Sequence, residues 1–181
     1  MNMKWGVDHT WTLFLDRDGV INERIMGAYV RSIEEFRFLP EVPETVAGLS
    51  SIFGRVVVVT NQQGIAKGIM TTRNLHDVHT YMCAEIAAYG GKIDQCFFAP
   101  EMDGDESTLR KPKPGMALEA KKQFPEIQFE RSIMVGDSDS DILFGQQLGM
   151  KTVRVRTVEP IGIAADETVE SLSEFLKGLK E

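Results

Sequence analysis

Short apolar stretches recur along the chain at 11–15, 56–59, 93–98, 132–135 and 152–155, and the second of them is four consecutive valines. Runs of this length, rich in β-branched residues, predict buried strands. Between them the pattern lengthens to a helical period. Residues 72–89 carry Leu75, Val78, Met82 and Ile86 on one face before Gly90 and Gly91 stop the helix. Shorter helical patterns cover 43–52, 114–124, 139–148 and 169–179, with Pro114 suited to a first turn and Gly149 to a stop. Strands alternating with helices predict an α/β fold with a mostly parallel central sheet flanked by helices. The 181 residues contain no repeat and no linker-like segment, which predicts one domain over 1–181.

In such sheets ligands bind beyond the carboxyl ends of the strands, so the residues following each apolar run matter most. The first run ends in Asp16 and Asp18, and the second in Thr60, Asn61, Gln62, Gln63 and Gly64. Arg110, Lys111 and Lys113 precede the helix at 114, and the fourth strand leads into Gly136-Asp137-Ser138-Asp139-Ser140-Asp141. Taken singly, each is readable as a turn, a plain loop or a charged surface segment. The last also begins like a calcium loop, but Ile142 stands where that loop needs glycine and Leu148 where it needs glutamate.

Together they make one complementary set: acids, a hydroxyl with glycine-rich backbone, cations and more acid. Phosphoryl transfer needs such a set. Carboxylates hold Mg²⁺ and supply a nucleophile, while a hydroxyl and a lysine meet the charge on the transferring group.

Composition narrows the field. A net charge of −7 and a pI near 5.1 argue against a broad grip on nucleic acid. Cys83 and Cys96 fall in no metal-binding spacing and read as reduced core residues. No apolar signal segment opens the chain and no run reaches a membrane span, so the expected location is the cytoplasm. His76 and His79, one helical turn apart, read as solvated or partly buried side chains rather than as metal ligands.

In order and content these motifs resemble the haloacid dehalogenase (HAD) superfamily of aspartate-nucleophile phosphatases, over residues 10–156. The stretches LDRDGVIN, TNQQGIAKG and RKPKPGM are similar to its subgroup of heptose-bisphosphate and histidinol-phosphate phosphatases. The resemblance implies a Rossmann-like HAD fold. It makes Asp16 the nucleophile and Asp18 the general acid and then base, with Thr60 and Lys111 binding the phosphoryl oxygens. It assigns Mg²⁺ to Asp16, the Asp18 backbone carbonyl and Asp137, with Asp141 in support. Asn22, Asn61 and Arg110 become substrate contacts.

The implied activity is hydrolysis of a small phosphorylated metabolite, a sugar bisphosphate first. Histidinol phosphate and a 3′-phosphorylated polynucleotide end are alternatives, and a binding module on an inactive phosphatase fold is a third. Many subgroup members carry a Cys/His zinc loop before the RKP motif. Here that stretch, APEMDGDESTLRKP, has neither residue, so no zinc is expected. Forty-one residues lie between Asp18 and Thr60, and as many between Gly68 and Arg110. Helices and strands fill both intervals, which leaves no room for a separate cap domain. Specificity is then expected from loops near 20–35 and 100–110. The oligomeric state is not legible.

Overall fold

Six parallel strands form one sheet in the order β3-β2-β1-β4-β5-β6 in the computed structural model, which describes residues 3, 5–104, 106 and 109–180. They are β1 (Thr12–Leu15), β2 (Arg55–Asn61), β3 (Gln95–Ala99), β4 (Ser132–Gly136), β5 (Lys151–Val155) and β6 (Glu167–Val169). Five helices connect or follow them: α1 (Val42–Ser50), α2 (Thr72–Ala88), α3 (Gly115–Gln123), α4 (Asp139–Gln147) and α5 (Leu172–Lys180). No cap domain is evident among the described residues.

The apolar runs lack alternation because both faces of the sheet are covered. Leu13, Leu15, Val56 and Val58 point to one core, which they share with Val46 of α1, Met82 of α2 and Phe175 of α5. Phe14, Val57, Val59 and Met134 point to the other, against Met116 and Ala120 of α3 and Phe144 of α4. The result is a three-layer α/β/α fold. The predicted elements are present within a few residues at their ends. One element is new: β6 takes in Val169, where the pattern starts the last helix, with the two residues before it, and α5 begins only at Leu172.

The strand order fixes where a site forms. From β1 the chain steps outward through β2 and β3, then returns to the other side of β1 with β4. The connections leaving β1 and β4 therefore run in opposite directions and leave a crevice at the carboxyl ends of those two strands. Asp16 follows β1 and Asp137 follows β4.

Candidate active site

The backbone around this crevice is drawn in tightly. Asp16 N–H donates to Val135 O at 2.9 Å, extending the β1–β4 ladder by one residue. The chain then turns back through Gly19, whose φ is +92° and whose N–H donates to Asn22 O at 2.8 Å. A Cβ there would lie 2.3 Å from Asp137 Oδ2, so only glycine lets the two loops approach. Gly136 serves β4 likewise: a Cβ would meet Asp141 Cβ at 2.1 Å. Ser138 precedes α4, and its N–H and Oγ donate to Asp141 Oδ2 at 3.0 and 2.7 Å. This fixes the Asp141 carboxylate toward the crevice.

Lys111 joins the acids. Its Nζ is buried 2.8 Å from Asp16 Oδ1 and 2.6 Å from Asp141 Oδ1, and donates to Val59 O at 2.6 Å. Asp16, Asp137 and Asp141 each offer an oxygen, all within 4.8 Å of one another. Burial pushes Asp16 up to about 6 against the pull of Lys111, with Asp141 adding to the rise. Burial and the charge of Asp16 push Asp137 up to about 7, against the opposing pull of Arg24. Burial would raise Asp141 too, but Lys111 and Ser138 outweigh it and hold that carboxyl below the usual range. Burial disfavours the Lys111 cation, yet Asp141 and Asp16 outweigh it and raise its pKa. Three crowded carboxylates with hard oxygens and only one lysine among them suit a small divalent cation such as Mg²⁺.

Asp18 lies beside this cluster with its carboxylate turned to other partners. Arg17 Nη2 donates to both its oxygens at 2.9 Å, Asn22 Nδ2 to Oδ1 at 2.9 Å and Gln62 Nε2 to Oδ2 at 2.9 Å. Burial alone would raise its pKa; the Arg17 charge and these hydrogen bonds outweigh it and keep the carboxyl below the usual range. Gln62 also donates to Thr60 Oγ1 at 2.9 Å, so one amide links Asp18 to Thr60.

Asp16, Asp18, Thr60, Asn61, Arg110, Lys111 and Asp141 line an open pocket of about 470 Å³. The Asn61 amide is engaged with the loop it faces: Oδ1 accepts from Lys111 N–H at 2.9 Å, and Nδ2 donates to Lys111 O at 3.1 Å. This clasp holds the lysine in place. Asn22 is fully buried behind Asp18 and does not line the pocket. Arg110 Nε and Nη1 are buried without a hydrogen bond among the described residues, and a carboxylate oxygen of exposed Asp103 stands 3.5 Å from Nε. Within the loop at 99–112, residues 105, 107 and 108 lie outside the described ones.

Sequence reasoning did not single out Arg17, Gln62 or Arg24. Arg17 is wholly buried, and in sequence it stands between two acids at the end of an apolar strand, which is itself an unusual place for an arginine. Gln62 and Arg24 left no such signal, because their partners come from distant parts of the chain. His79, expected to be solvated or partly buried, is buried against Arg17.

A parallel sheet with a carboxylate cluster and lysine at its switch point defines a class, and comparison with known proteins agrees on it. The family model described as HAD-hydrolase-like matches residues 108–174. The chain belongs to the HAD superfamily of phosphatases, in the group of the D,D-heptose-1,7-bisphosphate phosphatases. It is 34% identical over 171 residues to the D-glycero-alpha-D-manno-heptose-1,7-bisphosphate 7-phosphatase of Mycobacterium bovis, covering 92% of this chain and 90% of that one. To the corresponding beta-named 7-phosphatase of Pasteurella multocida it is 35% identical, over 93% and 97% of the two chains. The crystal structure of D,D-heptose 1,7-bisphosphate phosphatase from B. bronchiseptica, complexed with magnesium and phosphate, superposes with a TM-score of 0.81. Identity there is 29%, over 92% of this chain and 96% of that one. No helix among the described residues is long and apolar enough to cross a membrane.

Proposed function

We propose that this phosphatase removes the 7-phosphate of a D-glycero-D-manno-heptose 1,7-bisphosphate through a phosphorylated Asp16. The observation that supports it best is the buried Asp16–Lys111–Asp141 arrangement with Asp137 beside it, in a chain whose relatives act on this sugar along nearly their whole length. Asp16 attacks phosphorus with one carboxylate oxygen, and the bond to the sugar oxygen breaks as Asp18 gives that oxygen a proton. Water then attacks the aspartyl phosphate, Asp18 takes its proton, and the bond to Asp16 breaks to release phosphate.

Lys111, fixed by the Asn61 clasp, and Thr60 meet the equatorial oxygens. Arg110, with donors to spare, faces the rest of the substrate. Asp16, Asp137 and the Asp18 carbonyl would hold Mg²⁺, and Asp141 would support it. The ion supplies charge neutralisation that lets an anionic carboxylate approach an anionic phosphate. In the structure Asp18 is an ion-paired carboxylate. Its role as an acid therefore requires it to trade Arg17 for the leaving oxygen and to carry a proton when it does so.

The test is phosphate release with Mg²⁺ over a panel of both heptose bisphosphate anomers, histidinol phosphate, other sugar phosphates and a 3′-phosphorylated oligonucleotide. One heptose bisphosphate should lead in kcat/KM by about tenfold or more, a difference of ~1.4 kcal/mol in transition-state binding. Asp16→Asn should lower turnover by about 10³-fold or more. A different substrate leading by that margin overturns the sugar assignment, and near-normal turnover by Asp16→Asn overturns the nucleophile.

A further inference from the structure

We propose that Arg24 is a built-in counter-ion for the carboxylate cluster, in place when no metal is bound and displaced when a divalent cation enters. The inference rests on the reading that this cluster binds Mg²⁺. Arg24 stands on the loop after Asn22. Its Nη2 donates to the Asp18 backbone carbonyl at 3.2 Å and to Asp137 Oδ1 at 2.8 Å, while Nη1 donates to Glu159 Oε1 at 2.6 Å. The two acceptors of Nη2 are groups that the metal reading assigns to the ion. Mg–O bonds are about 2.1 Å long, so an ion on Asp137 Oδ1 would lie within about 5 Å of Nη2 and compete with it for the lone pairs of that oxygen. Two cations that need the same oxygens exclude one another.

The pairing of charges explains why Arg24 is there. Lys111 balances Asp16 and Asp141, and Arg17 balances Asp18. Asp137, whose side chain is wholly buried, has Arg24 as its cation and Thr157 Oγ1 as a neutral donor at 3.2 Å. Removing any cation from such a carboxylate is costly, and a metal ion that replaces Arg24 keeps that acid neutralised throughout.

The surroundings permit the exchange. Arg24 and Glu159 line both the reaction pocket and a second hollow of about 750 Å³ on the far side, bordered by Val42 and Leu172 near the starts of α1 and α5. Arg24 Nε makes no hydrogen bond, so the guanidinium is held only by its two terminal nitrogens. Glu159 is itself partly exposed and can remain paired as the arginine withdraws.

Arg24 adjoins the mouth of the pocket. Residues 25–30 form one wall, and Tyr29 in that wall accepts a hydrogen bond from Lys67 Nζ at 2.9 Å.

The experiment is calorimetric titration of Mg²⁺, without substrate, into the wild-type chain, Arg24→Ala and Asp137→Asn, with thermal unfolding in EDTA and in saturating Mg²⁺. Arg24→Ala should bind Mg²⁺ more tightly by about fivefold or more, the lower edge of an ordinary coupling between two sites. Its unfolding temperature should fall in EDTA and return toward the wild-type value in Mg²⁺. Unchanged or weaker binding would mean that Arg24 is an ordinary structural partner, and the proposal is lost. A wild-type chain that does not bind Mg²⁺, or Asp137→Asn binding as well as wild type, would instead remove the metal reading beneath it. Should Arg24→Ala not fold in EDTA, the Arg24 Nε–H resonance of the wild-type chain, assigned with Arg24→Lys, decides. It must shift saturably with Mg²⁺, and a resonance that stays put overturns the proposal.

Discussion

Arg17 is a fully buried guanidinium, and its neighbours show what keeps it there. One side grips Asp18 through both carboxylate oxygens, and on the other Nη1 lies 3.4 Å from His79 Nε2. A guanidinium only donates, so Nε2 must accept and the ring must be neutral. Burial and the Arg17 charge hold the His79 pKa down at about 3. The unfolded chain takes up a proton at His79 near pH 6.5, the folded one only near 3, so the unfolded state binds more protons in between. The stability that a neutral His79 contributes is thus complete above pH 6.5 and is lost as pH falls. From pH 6.5 to 5 the loss from this group is about 2 kcal/mol, at ~1.4 kcal/mol per pH unit. His79→Gln keeps an acceptor for Arg17 and should flatten that part of the stability profile, measured by urea unfolding at pH 7, 6 and 5. An equally steep fall in the variant would mean that other groups cause it. Lys111 poses the opposite case, a buried cation between two buried acids. Lys111→Met leaves both acids unbalanced and should cost about 3–5 kcal/mol of stability at neutral pH. It should also lower turnover by about 10²–10³-fold, as losing one donor to a developing charge does. A variant with wild-type turnover would show that Lys111 is a structural counter-ion alone.

Elements explain both what the sequence revealed and what it hid. Five strands and five helices were legible because most of the apolar runs are buried on both faces, so they stand out against their polar flanks. β6 was hidden because it is three residues long, pairs only with β5 and runs almost directly into α5. What identifies it is a distant contact: Asp166 Oδ2 accepts from Thr152 N–H and Oγ1, at 2.8 and 2.9 Å. The acids stood out by their places after β1 and β4, and Lys111 by its place in the basic stretch before α3. Asn61 and Asn22 were given to the substrate on sequence grounds, but their amides are engaged by the backbone of Lys111 and by Asp18, partners no local pattern reveals. The turn after β1 was legible through Gly19, though its reason is steric. Gly19→Ala must hold φ at +92° and place a methyl group on the Asp137 carboxylate. The backbone term alone is about 1–2 kcal/mol. The variant should fold with a lower unfolding temperature and bind Mg²⁺ about tenfold more weakly as Asp137 is pushed aside. Magnesium affinity equal to wild type would mean that the two loops separate without consequence.

Across the whole molecule the site is assembled from separate stretches of chain, and the sheet alone does not hold them together. The segment after β5 closes over the crevice. Glu159 meets Arg24, and Asp139 Oδ1 accepts from Ile163 N–H at 3.1 Å. The link between this segment and the crevice is Arg154, 1% exposed in the interior of β5. Its Nη1 donates to Asp137 O at 2.8 Å, and Nη2 to Asp139 Oδ1 at 2.5 Å and to Ile163 O at 3.0 Å. One guanidinium thus ties the peptide of a proposed metal ligand, the first turn of α4 and the returning loop. Arg154→Met keeps most of the volume but leaves the Asp137 and Ile163 carbonyls without that donor. The loss should be about 2–4 kcal/mol, since each stranded buried acceptor costs roughly 1–3 kcal/mol and the partly exposed Asp139 can return to water. Because Asp137 is loosened with it, Mg²⁺ affinity should fall in the same variant. Urea unfolding and Mg²⁺ titration on one preparation check both parts. A stability loss under about 0.5 kcal/mol, the size of an ordinary surface substitution, would show that the returning segment is held by β6 and α5 alone. A clear stability loss with unchanged Mg²⁺ affinity would show that the Asp137 peptide keeps its place without Arg154.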